Sequence, residues 1–267
     1  MRQSQATVTH PLASTEPRTR PWIYLGLALS MSVTVYWGFA YTYFTPVLAG
    51  AYPQVPPAIH VHGWSFFLWF LLLPFQALLI AKGRWRMHIM LGSASTALAA
   101  VMVFTGVLVA SVRIQQGLSA TEPDQLTIFW KGFGQLIIYN MILFVAFYTT
   151  AIARRDQPDV HKRMIVLASA SVLPAAIFRV IVGLAGYNWV ATPGWVMPAA
   201  FFLPAVFIVI GMFNDRVAQG SVHRAYLVGL PILLVVHGLG LALAGTAAGE
   251  AVSRVMALFA RVFGDLY

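Results

Sequence analysis

The amino-acid sequence predicts an all-α membrane protein: a seven-transmembrane-helix bundle with a cytoplasmic N-terminus and a C-terminal amphipathic helix on the outer face. Of 267 residues, 59% are hydrophobic and only 9% are charged, against roughly 45–50% and 25% in soluble proteins. Apolar runs long enough to cross a bilayer recur along the chain, with proline, glycine and basic residues between them. No cysteine is present, which excludes disulfides, thiolate metal sites and cysteine-attached haem.

Three regions are expected along the chain: a polar cytoplasmic tail at 1–20, a transmembrane domain at 21–246 and an amphipathic interfacial helix at 249–267. The tail lacks the apolar core and cleavage site of a signal peptide. The seven spans are expected at 21–45, 59–82, 87–112, 125–153, 162–187, 195–214 and 224–246. Each is long enough to cross the hydrocarbon core as a helix.

The C-terminal helix is predicted from apolar residues at helical spacing. The apolar face is expected to hold Val252, Val255, Met256, Phe259, Val262 and Phe263. Arg254 and Arg261 lie mostly opposite, which is typical of a helix in the membrane surface. The alternative is a docking face for another membrane subunit.

Lysine and arginine sort between the two sides of the bundle. Twelve of them flank the side of the N-terminus and four flank the other side, with Arg179 left inside the fifth span. Because cytoplasmic loops collect positive charge, the N-terminus is expected inside, in the inner membrane of a bacterium. The net charge of +9 is thereby explained by membrane orientation and not by nucleic-acid binding. The lipid bilayer is the expected partner, with a membrane protein or a second copy of the chain as further options.

Acidic residues are expected only in tails, loops and span ends. All eight of them fall in such places by this prediction, which argues against a carboxylate-driven transporter and against paired-carboxylate chemistry. Histidine and arginine remain as functional candidates inside the membrane.

The histidines fall at two depths. His88, His161 and His223 stand at the cytoplasmic starts of spans, His60 and His62 at the outer start of span two, and His237 fourteen residues after His223. Fourteen helical residues rise about 21 Å and make nearly four turns, so His223 and His237 share a face near opposite membrane surfaces.

This spacing resembles that of b-type membrane cytochromes, in which one helix supplies an imidazole to each of two haems. The resemblance implies that His237 pairs with His62 or His60 at an outer haem, and His223 with His88 or His161 at an inner one. Haem propionates need cationic partners, and Arg179 and Lys131 are expected near the outer site. Quinone or a partner protein would then exchange electrons with the haem.

A metal site is the alternative for His60 and His62. If the chain is extended there, both imidazoles point the same way; if it is helical, they diverge by about 200°. Pro56 and Pro57 favour an extended entry. His237 is the expected third ligand of a copper or zinc ion.

A second resemblance rests on a signature across spans two to five: Trp69, Gln76, Gly83-Arg84, His88, His161-Lys-Arg163 and Arg179. It resembles an uncharacterised group of bacterial multi-pass inner-membrane proteins. The resemblance implies a helical membrane protein without an established activity, and it does not extend to His237.

Three functions are compatible with these patterns. The leading hypothesis is membrane redox with one or two b-type haems. The second is a non-redox protein that binds or moves a small anion or hydrophobic molecule, with spans broken at Pro74, Pro174, Pro198, Pro204 and Pro231. The third is an accessory subunit of a membrane complex. Phosphate-binding glycine loops, Gly-x-Ser-x-Gly elbows and His-Glu-x-x-His helices do not occur.

Overall fold

The computed structural model describes residues 21–188 and 191–267, and in that part of the chain all regular structure is helical. The predicted polar tail 1–20 lies outside the described residues. The helices are α1 (Pro21–Phe39), a π-helical turn (Ala40–Phe44), α2 (Thr45–Leu48), α3 (Pro57–Ala81), α4 (Trp85–Ser119), α5 (Gln125–Ala153), α6 (Pro158–Ser171), α7 (Pro174–Ala185), α8 (Val196–Phe202), α9 (Ala205–Gln219), α10 (Arg224–Leu243), α11 (Ala247–Met256), α12 (Leu258–Phe263) and a 3₁₀ turn (Gly264–Leu266).

Six helical segments are long and apolar enough to cross a membrane. They are α1 with α2, then α3, α4, α5, α8 with α9, and α10. A seventh is added if α6 and α7, which are bent by 48° at their junction, count as one span. The chain is therefore a multi-pass membrane protein of six or seven spans, in agreement with the predicted all-helical bundle.

Proline explains where two of the spans break. Helix α7 begins at Pro174 and helix α9 follows Pro204, since proline lacks the N–H of a helix interior and restricts the residue before it. Pro74 and Pro231 lie inside the continuous helices α3 and α10, so the predicted breaks at these two positions are wrong.

One end of the bundle gathers the basic residues, and we call it the basic end. It holds the start of α1 and the turns between α3 and α4, between α5 and α6, and between α9 and α10. Contacts across it join these elements: the Lys162 ammonium lies 5.3 Å from the Tyr24 ring centre, and Arg163 pairs with Asp215. Its cations are Lys82, Arg84, Arg86, Arg154, Arg155, Lys162, Arg163, Arg216 and Arg224.

Glycines bring neighbouring helices close together. A Cβ at Gly134 on α5 would lie 2.9 Å from the carbonyl oxygen of Ala110 on α4, and one at Gly240 on α10 would lie 2.8 Å from the Tyr139 ring. Both glycines therefore permit close helix packing. Gly38 on α1 lies against the backbone of Ala176 on α7.

Gly38→Ala is expected to lower the free energy of unfolding by about 1–3 kcal/mol. The added methyl group would overlap the Ala176 carbonyl, which is backbone and can yield only if α1 and α7 separate. Gly26→Ala on the same helix is the control, because a Cβ there meets no atom within 4 Å. Thermal unfolding in detergent should show a lower midpoint for Gly38→Ala than for Gly26→Ala; equal midpoints would contradict the close packing.

The C-terminal segment packs on the bundle through α4 and α5. Its buried residues are small and helically spaced: Gly249, Ser253, Ala257 and Ala260. Of the residues predicted on the apolar face, Val255 and Val262 are 67% and 71% exposed, whereas Phe259 and Phe263 pack against Phe104 on α4. The small residues face the bundle because they let the backbones approach.

Candidate functional site

Two histidines meet at the basic end. His88 on α4 and His161 on α6 have ring centres 6.3 Å apart and ring planes at 89°. Both side chains are half-buried. Helix α4 packs mainly on α3 and α5, whereas α6 packs mainly on α5 and α10. The pair therefore joins two helices that are not each other's principal neighbours.

Each ring is held at its Nδ1 atom. His161 Nδ1 lies 2.9 Å from the carbonyl oxygen of Ala151 on α5, so this nitrogen donates. The Gln76 amide on α3, oriented so that its oxygen accepts from Gly92 N–H at 2.9 Å, places its nitrogen 2.7 Å from His88 Nδ1. Both contacts fix the ring orientation and involve only Nδ1 of each ring. Four helices, α3 to α6, thus converge on the histidine pair.

A layer of aromatic and hydroxyl side chains lies two turns deeper along α3. Trp69 Nε1 donates to Ser169 Oγ at 3.3 Å, and the Trp69 ring packs edge-on against Tyr148 at 5.5 Å. The Tyr148 hydroxyl lies 3.2 Å from Thr96 Oγ1. This layer ties α3, α4, α5 and α6 together just inside the histidine pair and rigidifies the site.

A buried ion pair anchors the basic end beside the histidines. Arg163 donates to both oxygens of Asp215, Nη2 to Oδ1 at 2.6 Å and Nε to Oδ2 at 2.8 Å, and both side chains are fully buried. Asp215 also accepts from the backbone N–H of His223 at 3.2 Å. Asp215 lies near the end of α9, at a span end as expected, but its side chain is fully buried there. Arg163 is thereby committed to this pair.

His223 caps helix α10 and is not part of the His88–His161 pair. Its Nδ1 accepts from the N–H of Ala225 in the first turn of α10 at 3.1 Å. Burial lowers the pKa of His223 below its ordinary value, which favours the neutral ring, and the hydrogen bond from Ala225 N–H selects the tautomer with an unprotonated Nδ1. Of the three histidines predicted at an inner site, the structure pairs His88 with His161 and gives His223 a capping role.

At the opposite end, His60 and His62 have different surroundings. Helix α3 begins at Pro57, so the expectation of an extended chain is wrong and the two rings diverge by about 200°. His60 Nδ1 lies 2.9 Å from the Tyr43 hydroxyl on the π-helical turn. The His62 ring lies beside Gly106 and Met141, and its Nδ1 is buried without a hydrogen bond.

His237 lies on another side of helix α5. Its Nδ1 donates to the Phe201 carbonyl at 2.7 Å, and its buried Nε2 has no hydrogen-bond partner. One turn further along α10, Gly240 packs on Tyr139, whereas His62 lies near Met141. Tyr139 and Met141 point about 200° apart on α5, so the helix separates His237 from His62.

The predicted three-histidine metal site is not formed. Across residues 21–188 and 191–267, no three side chains of His, Cys, Asp or Glu gather closely enough to hold a metal ion. His60, His62 and His237 are therefore three separate sites in the fold. A haem needs fewer protein ligands than such a metal ion, because the porphyrin supplies four of the iron ligands and two histidines supply the others.

Arg179 and Lys131, the cations predicted beside an outer haem, both pack on the protein. Arg179 Nη1 donates to the Ala175 carbonyl at 2.7 Å, and its guanidinium lies 4.2 Å from the Phe39 ring centre. The Lys131 stem packs against Gly117 on α4. In the loop after α2, burial raises the pKa of Tyr52, while the charges of Arg179 and Arg113 oppose that shift. Arg179 and Lys131 are thus both held by contacts with neighbouring residues of the helix bundle.

Sequence reasoning missed two members of the basic-end site. Asp215 was grouped with the carboxylates of tails, loops and span ends, and its position beside Arg216 gave no signal of burial. Gln76 entered only through a resemblance, although a polar amide in an apolar run is itself a signal. No protein-family model, curated protein or solved structure matches this chain.

Proposed function

We propose that the chain is a membrane electron-transfer protein in which His88 and His161 would hold one b-type haem at the basic end. The observation that carries this proposal is the pair of imidazoles, with ring centres 6.3 Å apart and ring planes at 89°. Two imidazoles bound to one metal by bonds of about 2 Å have ring centres about 6 Å apart.

The hydrogen bond of His161 supports ligation through its Nε2 atom. Histidines that bind a metal commonly donate their other ring N–H to a carbonyl or carboxylate oxygen. His161 Nδ1 already donates to the Ala151 carbonyl. For His88, the Gln76 amide nitrogen donates to Nδ1 at 2.7 Å, so binding through Nε2 requires the ring proton to move to Nδ1 and the amide to rotate, which breaks the hydrogen bond from Gly92 N–H. Ligation of iron by His88 is therefore coupled to the orientation of Gln76.

The charges near the pair suit the haem propionates. The turn before α4 carries Lys82, Arg84 and Arg86, all exposed, and Lys162 follows His161 directly. Arginine and lysine bind carboxylates by charge-assisted hydrogen bonds. By the excess of positive charge on cytoplasmic loops, the basic end then faces the cytoplasm of a bacterial inner membrane.

The bound haem would supply reversible one-electron chemistry, in which ferric iron accepts one electron and ferrous iron returns it. The donor is of the quinol or reduced-protein class, and the acceptor is of the oxidised quinone or protein class. The protein's own residues hold the ligand rings, bind the propionates and exclude water from the bundle side of the site. The half-exposed position of both rings leaves an edge of the site open to an exchange partner.

The first test is the visible spectrum of the full chain, purified in detergent from a haem-sufficient host. We expect sharp α-bands on reduction with dithionite and about one haem per chain, since one histidine pair is formed. A featureless spectrum together with absence of iron would overturn the proposal. The binding of a small anion or hydrophobic molecule, or an accessory role, would then become the leading hypothesis.

A further inference from the structure

The α6–α7 span is broken inside the membrane. Helix α6 ends at Ser171 and α7 begins at Pro174, and the two helices are bent by 48° at this break. Ser171 lies about 20 Å along α6 from Pro158 at the basic end, whereas the hydrocarbon core is about 30 Å thick. Val172 and Leu173, which join the two helices, are buried. The break is therefore enclosed by protein at membrane depth.

The break is rich in hydrogen-bond acceptors. Pro174 supplies no N–H, and the N–H groups of Ala176 and Ile177 both donate to the Leu173 carbonyl, at 2.9 and 3.0 Å. Within the described part of the chain, the Val172 carbonyl accepts from no backbone N–H. The carbonyl end of a helix such as α6 also carries partial negative charge. A donor or a positive charge would satisfy this end of the helix.

Asn140 on α5 faces the break. Phe133 and Ala151 lie on the same side of α5 as Asn140, each about 20° from it around the helix axis. The Phe133 ring packs against Phe178 on α7, with ring centres 5.9 Å apart. The Ala151 carbonyl oxygen lies 2.9 Å from His161 Nδ1 on α6. Asn140 lies between these two contacts along α5, and proportional spacing along the α6–α7 span places it opposite the break.

The Asn140 side-chain oxygen is buried without a donor. The residue is only 3% exposed, and among the described residues its Oδ1 has no hydrogen-bond partner. Another amide of α5, Gln135, is equally buried but is fully engaged. Its Nε2 donates to the Tyr139 hydroxyl at 3.2 Å, and its Oε1 accepts from the Ser253 hydroxyl at 3.3 Å. Of these two amides, only that of Asn140 offers a buried oxygen to a ligand.

The charges of the three helices limit what such a ligand is. Helices α5 and α7 contain no aspartate or glutamate, and that of α6, Asp159, lies in the first turn at the basic end. The oxygens at the break are therefore those of an amide and of carbonyls, which are neutral. In membrane proteins, neutral oxygens at interrupted helices coordinate monovalent cations. A divalent ion in the membrane would need carboxylate ligands to balance its charge.

We propose that a monovalent metal cation, Na⁺ or K⁺, binds at the α6–α7 break, with Asn140 Oδ1 and the Val172 carbonyl oxygen among its ligands. The cation supplies the positive charge that both oxygens lack, and it joins α5 to the bend of the α6–α7 span. The site is separate from the histidine pair, because His161 lies about 15 Å back along α6 from Ser171. The proposal does not rest on the presence of a haem.

Thermal unfolding of the full chain in detergent tests this site, with choline chloride replaced by NaCl or KCl at constant ionic strength. We expect the midpoint to rise by about 4 °C between choline buffer and about 300 mM of the bound cation, because that cation stabilises only the folded chain. The salt that gives the larger rise identifies the cation as Na⁺ or K⁺. Equal midpoints in the choline, sodium and potassium salts would overturn the proposal.

Two variants locate the effect. Asn140→Leu should abolish the rise, because it removes the amide oxygen that faces the break. Gln135→Leu is the matched control, since it removes an equally buried amide from the same helix, but one that is already hydrogen-bonded. It should keep the rise even if its midpoint in choline buffer is lower. A rise in Asn140→Leu as large as that in Gln135→Leu would contradict the assignment of Asn140.

Asn140→Asp keeps the assignment testable if Asn140→Leu does not fold. The substitution replaces the amide with a carboxyl group of the same shape, which attracts a cation more strongly once it is ionised. Direct binding of the cation that gives the larger rise, measured with its radioactive isotope at alkaline pH, should tighten by about tenfold. Unchanged or weaker binding by Asn140→Asp would remove Asn140 from the site.

Discussion

Asp215→Ala is expected to lower the free energy of unfolding by about 3–5 kcal/mol. The substitution leaves the Arg163 guanidinium fully buried without the carboxylate that binds it through two hydrogen bonds. It also removes the acceptor for the His223 N–H, so the turn before α10 loses an attachment to α9. Unfolding in mixed micelles with increasing dodecyl sulfate would measure the loss.

Two companion variants separate this effect from a general loss of charge. Asp159→Ala removes the other carboxylate that contacts Arg163, but that side chain is 54% exposed, so we expect a change of less than about 1 kcal/mol. A double variant with leucine at both 163 and 215 removes both charges and should regain most of the stability. If Asp215→Ala unfolds no earlier than Asp159→Ala, the pair contributes nothing and its proposed anchoring role is wrong.

This ion pair shows a limit of sequence reasoning. Arg163 and Asp215 are 52 residues apart in sequence, and the residues around each of them do not indicate that the two side chains will pair. The depth of each residue along its helix follows from the rise per residue, which is why the basic end could be predicted by counting. The rotation of α9 about its axis, which turns Asp215 toward α6, depends on packing with several neighbouring helices. Hydropathy along the sequence does not predict this rotation.

Hydropathy predicted the long helices well because each apolar run must satisfy its own backbone hydrogen bonds inside lipid. The interruptions were harder. The π-helical turn at Ala40–Phe44 contains no proline or glycine, so its sequence does not announce it. Two prolines with the same local signal behaved differently: α7 starts at Pro174, whereas α3 continues through Pro74. The outcome depends on whether neighbouring groups can satisfy the freed carbonyls.

The histidines illustrate the same division between depth and direction. Their two depths were predicted from spacing, and His88 and His161 do lie together at the basic end. The preference for His223 as a partner came from its register with His237 on α10, which fixes a shared face but not what that face contacts. The His223 ring caps α10 instead of pairing with another histidine.

His161→Ala is expected to abolish haem binding, and His88→Ala to do the same, because each removes one of the two protein ligands of the proposed iron site. His223→Ala is the matched control: it lies at the same end, costs about 1 kcal/mol as a lost helix cap, and should keep the full haem content. His161→Met retains a ligand of another type and should raise the midpoint potential while the haem stays bound. Haem content and potential, measured together by redox titration, distinguish a ligand from a residue that only supports folding. Loss of haem in His223→Ala with full retention in His161→Ala would place the ligand elsewhere.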